Sequence, residues 1–230
     1  SSGDEAWREK VEELAGRGVS ISSLLDFWGQ LTEGEVMPGF DPSRSTTGDV
    51  VRRAIIPLSR DTGPLGGGRA LASVWSGGRP LWPACMVTHA WASVFVHLLA
   101  GVLADALGRE CYGATAERLL DGRTGREALA EELRRAGALD RVVWICAFSV
   151  NQHAGICDSF GTPPAPASAA FRAWDAKRRD TVTGVIFPTC DCRQPKACGA
   201  DEAACEMNKF ISMMRLLGKR AGGFSHLVVA

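Results

Sequence analysis

The chain has 230 residues, of which 46% are hydrophobic and 23% charged, with 26 basic and 26 acidic side chains. That length and composition suit one large globular domain, or a domain with an appendage, able to bury a sizeable core. A formal net charge of zero excludes the basic footprint of a nucleic-acid binder and any strong pull toward an anionic membrane.

In chain order, "DEAWREKVEELAGRG" predicts a helix with Trp7, Val11 and Leu14 on one stripe and Gly16 and Gly18 as stops. "SISSLLDFWGQL" predicts a second, with Ser20 as N-cap and Leu24, Phe27, Trp28 and Leu31 facing inward. "TTGDVVRRAIIPLSR" predicts a third, which Pro57 should end or kink. Glycines then crowd residues 63–78, which read as linker. The "GGG" at 66–68 lacks the preceding strand and following Lys-Ser/Thr pair of a phosphate loop.

From residue 84 the pattern changes. "ACMVTH" is a short apolar strand followed by a helix over 91–107. His97 and Asp105 interrupt that helix, and the apolar run between them falls far short of the ~20 residues that span a bilayer, so it reads as a buried helix. Weaker helices are expected near 114–120 and 125–136. "RVVWICAFSV" is apolar on both faces, as a central parallel strand is, and predicts a strand over 142–149. "GTPPAPASAA" and a cysteine-rich loop follow. "CEMNKFISMMRLLGKR" then carries Phe210, Met213, Met214 and Leu217 at helical spacing with Gly218 as C-cap, and "FSHLVVA" closes as a strand. This alternation predicts a doubly wound, mostly parallel α/β sheet containing residues 85–89, 142–149 and 224–229. Residues 1–80 read as a helical N-terminal extension with a Gly-rich linker, and 81–230 as the α/β domain with an insertion at 158–200.

Such sheets bind ligands beyond the carboxyl ends of their strands. Thr88, His89 and Trp91 follow the first strand, and Asn151 and Gln152 follow the second, so these five form a candidate edge for a small polar or nucleotide ligand. The competing reading makes Asn151 and Gln152 turn caps.

Eight cysteines are present: Cys85, Cys111, Cys146, Cys157, Cys190, Cys192, Cys198 and Cys205. No apolar leader is visible at "SSGDEAW", and Cys85 and Cys146 lie in apolar runs. The thiols therefore point to a reducing compartment, the cytoplasm or an organelle. His153/Cys157 at H-x3-C spacing and Cys190/Cys192 in "CDC" are two close pairs on separate loops, the arrangement that tetrahedral zinc takes, with Cys205 in reserve. Free thiols or a disulfide are the alternatives. A nucleophilic Cys157–His153 pair lacks an identifiable orienting group. A closed four-ligand site would be structural, pinning the 158–200 insertion to the sheet edge. No G-x-S-x-G elbow, H-E-x-x-H helix or complete glycine fingerprint is present.

"RSTTGDVVRRAIIPLSR", "MVTHAWASVFVHLLAGVLADAL", "WICAFSVNQHAGIC", "CDC" and "CEMNKFISMM" together resemble a family of uncharacterised proteins of protists, dinoflagellates above all, over most of residues 37–230. That family is distantly similar to TIR domains, in which a first strand ends in a Ser/Thr-His-x-Trp-like turn and a later one near Asn-Gln, here Thr88, His89, Trp91, Asn151 and Gln152. The resemblance implies a signalling interaction module, or an enzyme that cleaves NAD with a Glu on a helix after a later strand. The sequence ends on "FSHLVVA", so no residue is carried over for that Glu. Asp105 lies at the far end of its helix, Asp158 lies in the insertion, and Glu202 and Glu206 open the helix before the final strand, expected at the edge opposite the site. The expectation is therefore no NAD-cleaving activity and a main role in assembly with protein partners.

Overall fold

The computed structural model describes residues 2–63, 66–197, 203–220 and 223–229. Four strands form one sheet in the order β1–β3–β2–β4, with β1 at Val19–Ser20, β2 at Cys85–His89, β3 at Val142–Ile145 and β4 at Ser225–Val229. β2, β3 and β4 run parallel, with Met86 opposite both Trp144 and His226, while β1 pairs antiparallel with β3. The mostly parallel α/β sheet is thus as expected.

Side-chain alternation along the strands divides the core. Cys85, Val87, Val143 and Ile145 join the cluster that holds Leu24, Phe27, Trp28, Phe95 and Leu99. Met86 and Trp144 enter a second cluster with Val11, Leu14, Met213 and Leu217. The helix that follows β2, Phe95–Ala106, packs in the first cluster and the helix before β4, Phe210–Arg220, in the second. Helices therefore cover both faces of the central strand, which is why it reads as apolar throughout. No helix among the described residues is long and apolar enough to cross a membrane.

Three expectations are corrected. First, residues 1–80 are not an extension. Val19–Ser20 supplies β1, and Leu24, Phe27, Trp28, Val50 and Ile55 sit in the same cluster as the sheet. Second, the strand ends at Ile145, and Cys146–Ser149 is one helical turn. An apolar run cannot by itself separate a buried strand from a buried helical turn. The turn carries Phe148 into an aromatic group with Phe27, Trp75 and Phe95. Third, of the two outcomes expected at Pro57, an end or a kink, the end does not occur. Thr47–Val50, Val51–Ile55 and Ile56–Ser59 run on continuously, opened by a Thr46/Asp49 capping box, and the middle piece is π-helical. The wider π register absorbs the missing N–H of Pro57.

Trp144 and Phe148 have no exposed surface. Replacing either with Ala should lower unfolding free energy by about 3–5 kcal/mol. Denaturant unfolding curves that coincide with the parent's would contradict the central placement of this segment.

Candidate metal centre

His153, Cys157, Cys190 and Cys192 converge just past the carboxyl end of β3, their ligand atoms all within 4.8 Å of one another. Cys157 Sγ lies 3.5 Å from Cys192 Sγ, and Cys190 Sγ lies 3.7 Å from His153 Nδ1. A tetrahedron with metal–sulfur arms of ~2.3 Å has edges of about 3.8 Å, so these separations suit one central ion. None of the three cysteines is in a disulfide.

The local sequence builds the site. Asn151 caps the short turn Gln152–Ala154 by accepting from the His153 amide, and the following turn brings Cys157 back beneath the ring. Cys190 N–H donates to the Cys157 carbonyl at 2.7 Å, joining the two ligand loops. His153 Nε2 lies 3.1 Å from Ser59 Oγ, whose own proton goes to the Ile55 carbonyl at 2.6 Å. Ser59 therefore accepts from Nε2–H, which leaves the Nδ1 lone pair facing Cys190, the tautomer that ligation needs. Burial pushes the imidazole below its ordinary pKa, with Lys196 and Arg60 adding to the shift and the Ile56 carbonyl opposing it.

The thiols are strongly differentiated. Burial drives Cys157 up to about 12, against the pull of Lys196, and also raises Cys190. Burial opposes ionisation of Cys192 too, but the Gln194 amide, the neighbouring thiols and Lys196 outweigh it and bring Cys192 below the usual thiol value. Lys196 Nζ donates to Cys157 Sγ at 3.1 Å and to the His153 carbonyl at 2.6 Å. Three thiolates and a divalent cation carry a net charge of −1, which this ammonium offsets.

Sequence reasoning missed Ser59, Lys196 and the role of the glycine run. Gly67 N–H donates to the Cys192 carbonyl and Gly68 N–H to Gln194 Oε1. A Cβ on Gly68 would fall 2.2 Å from the imidazole carbons, and Gly66 and Gly67 adopt φ of +65° and +105°. The run is a strap over the centre, and its signal was three consecutive glycines where no phosphate-loop context existed.

Cys205 is buried but stands outside the group of four ligand atoms. Its segment is fastened elsewhere, with Lys209 Nζ on the Cys205 carbonyl and 3.9 Å from the Trp7 ring centroid. Cys198 and Glu202 lie outside the described residues. Of the proposed ligand edge, Asn151 spends its side chain on Gly68 O and the His153 amide, and Gln152 on the Cys146 and Ala147 carbonyls. Thr88 Oγ1 meets His226 Nε2 at 2.7 Å. Both His89 nitrogens are buried without a partner among the described residues, and burial lowers its pKa to about 4. Trp91 lines two cavities, one of about 200 Å³ shared with Asn151 and Gln152 and a separate one of about 580 Å³.

Glu206 is at the edge from which it was expected to be absent. Its Oε2 accepts from the Asn151 amide at 2.8 Å, and its Oε1 pairs with Arg17 at 2.8 Å. The helix Phe210–Arg220 leads into β4, which runs parallel to β2 and so to β3, so the helix starts at the carboxyl edge of the strands, where Glu206 meets the Asn151 amide.

No protein-family model, curated protein or solved structure matches the chain.

The purified chain should carry one metal ion, and Cys192→Ser should lower its metal content. Chelation should speed hydrogen exchange in residues 186–197 before it does so in the sheet, since a metal bound there would stand in place of a core. Exchange that rises first in β2 and β3 would refute this. His89 gives a pH dependence. The neutral ring is fully compatible with folding above about 6.5, and stability is lost as pH falls toward about 4, because the unfolded chain takes up the proton first. His89→Phe should flatten that part of the stability–pH curve measured by urea unfolding.

Proposed function

We propose that the chain is a non-enzymatic assembly module, an α/β domain of TIR-like type clamped by a structural zinc ion. The observation that carries this reading is closure. One imidazole nitrogen and three sulfurs lie together, and a tetrahedral ion bound by all four would have no position left for a reacting water or substrate. Soft sulfur ligands with one histidine favour zinc over the oxygen-seeking cations.

Assembly is supported by β4. Among the described residues it pairs only with β2, so its outer edge is open, and Val228 on it is 64% exposed. No proline or lysine blunts Ser225–Val229, the usual protection of an edge against pairing. Such an edge accepts a further strand from a partner. The resemblance to TIR-like proteins agrees with this role.

A second reading, a nucleotide-handling enzyme that cleaves NAD, draws on the position of Glu206 beside Asn151 and Trp91 in the 200 Å³ cavity. Against it, that carboxylate is already held by Arg17 and by a backbone amide, leaving it poorly free to meet a developing cation.

Val228→Lys should change stability by no more than about 0.5 kcal/mol and dissociate the assembled species seen by sedimentation velocity. A parent chain that is monomeric at the highest soluble concentration, and that releases nicotinamide from NAD in a manner lost in Glu206→Gln, would overturn the proposal in favour of the enzyme.

A further inference from the structure

Three cavities open near the carboxyl edge of the sheet, and their linings differ in charge. The largest, about 720 Å³, is bordered by Lys10, Arg17, Arg69 and Arg79 but also by Glu9, Glu12, Glu13 and Glu206, so its charges balance. The 200 Å³ cavity is mostly apolar and too small for more than a fragment. The third, about 580 Å³, lies between the 47–59 helix, the turn after β2 and the end of the Ala169–Lys177 helix. Of these three it alone has an excess of positive charge.

Arg52, Lys177 and Arg179 line this cavity, with Asp49 as the single acid. Asp49 forms no ion pair with them among the described residues and offsets only one of the three charges. It is 1% exposed, its Oδ2 accepts from Thr46 N and Oγ1, and its Oδ1 accepts from Thr181 N and Oγ1. Arg179 is oriented by Asp175 and the Gly184 carbonyl. Arg52 is held by the Ile156 carbonyl and by the Phe160 ring 4.4 Å from its guanidinium carbon, with no carboxylate in a salt bridge to it among the described residues. Lys177 is exposed and has no ion pair or hydrogen bond among the described residues. Two aromatic residues, Trp91 and Phe187, also line it. Trp91 sits two residues past β2, where sheets of this kind receive ligands.

We propose that this cavity binds a small anion carrying a planar ring, of the aryl phosphate class. Arg52 and Lys177 meet the anion through charge-assisted hydrogen bonds, and the ring lies against Trp91 and Phe187. The site is distinct from the metal centre and does not depend on the assembly reading.

Isothermal titration of the full chain with phenyl phosphate tests the proposal, with inorganic phosphate and phenol as the separate halves. Phenyl phosphate should bind saturably and more tightly than either half. Lys177→Glu, at an exposed helix end, should weaken it by about tenfold or more without moving the melting temperature. No saturable binding, equal affinity for inorganic phosphate, or affinity unchanged in Lys177→Glu would each overturn it.

Discussion

Trp144 lies in the middle of β3 with no exposed surface, and its indole N–H donates to the Leu14 carbonyl at 2.9 Å. The ring also meets Phe210 edge-on, with centroids 5.2 Å apart. One residue thereby fastens the first helix and the last helix to the central strand. Its neighbours Val143 and Ile145 point the other way, into the core built by the N-terminal helices. With both faces committed, β3 cannot shift register without turning its side chains to the wrong side. The residues that follow it are therefore delivered to a fixed place, and the ligands His153 and Cys157 inherit that precision.

What happens at that place is governed by electrostatics. Three sulfurs and an imidazole inside 4.8 Å cannot all be ligands unless a cation compensates the charge that the thiolates would bring. Without one, burial holds Cys157 and Cys190 protonated and only Cys192 leans toward the thiolate. Arg60 pairs with Asp191 between the two cysteines of the C-x-C turn at 2.7 Å, and Arg52 reaches the Ile156 carbonyl before Cys157. The helix over 47–59 thus touches both ligand loops, through Arg52 and Ser59 and through Arg60 at its end.

β2, β4 and the long helices were legible in the sequence because each carries its own period. His153/Cys157 and Cys190/Cys192 were legible because ligand pairs are local in sequence even when the site is not. Cys146–Ser149 was not, since burial on all sides erases the period that separates strand from helix. The edge expected for Glu206 reversed the topology, because a helix that leads into a parallel strand starts at the carboxyl edge of the sheet. Its partner Arg17, 189 positions away, is encoded by no local pattern. That pair is buried at both ends, with each side chain 7% exposed, and removing one member of such a pair leaves a charge stranded. Cys205 was held in reserve on residue type alone. Type says nothing about the anchoring of its segment by Arg17 and Trp7.

Gly68 has an implication for kinship. Its backbone is not in the left-handed region, unlike Gly66 and Gly67, so nothing in its own conformation demands a glycine. Only the imidazole of His153, crowding the space where a Cβ would stand, does so. Cysteines persist in lineages for many reasons, among them disulfides and buried packing. A glycine at this position has one. A chain that keeps all four ligand residues but carries a side chain at position 68 must therefore move the imidazole or the strap to keep this centre.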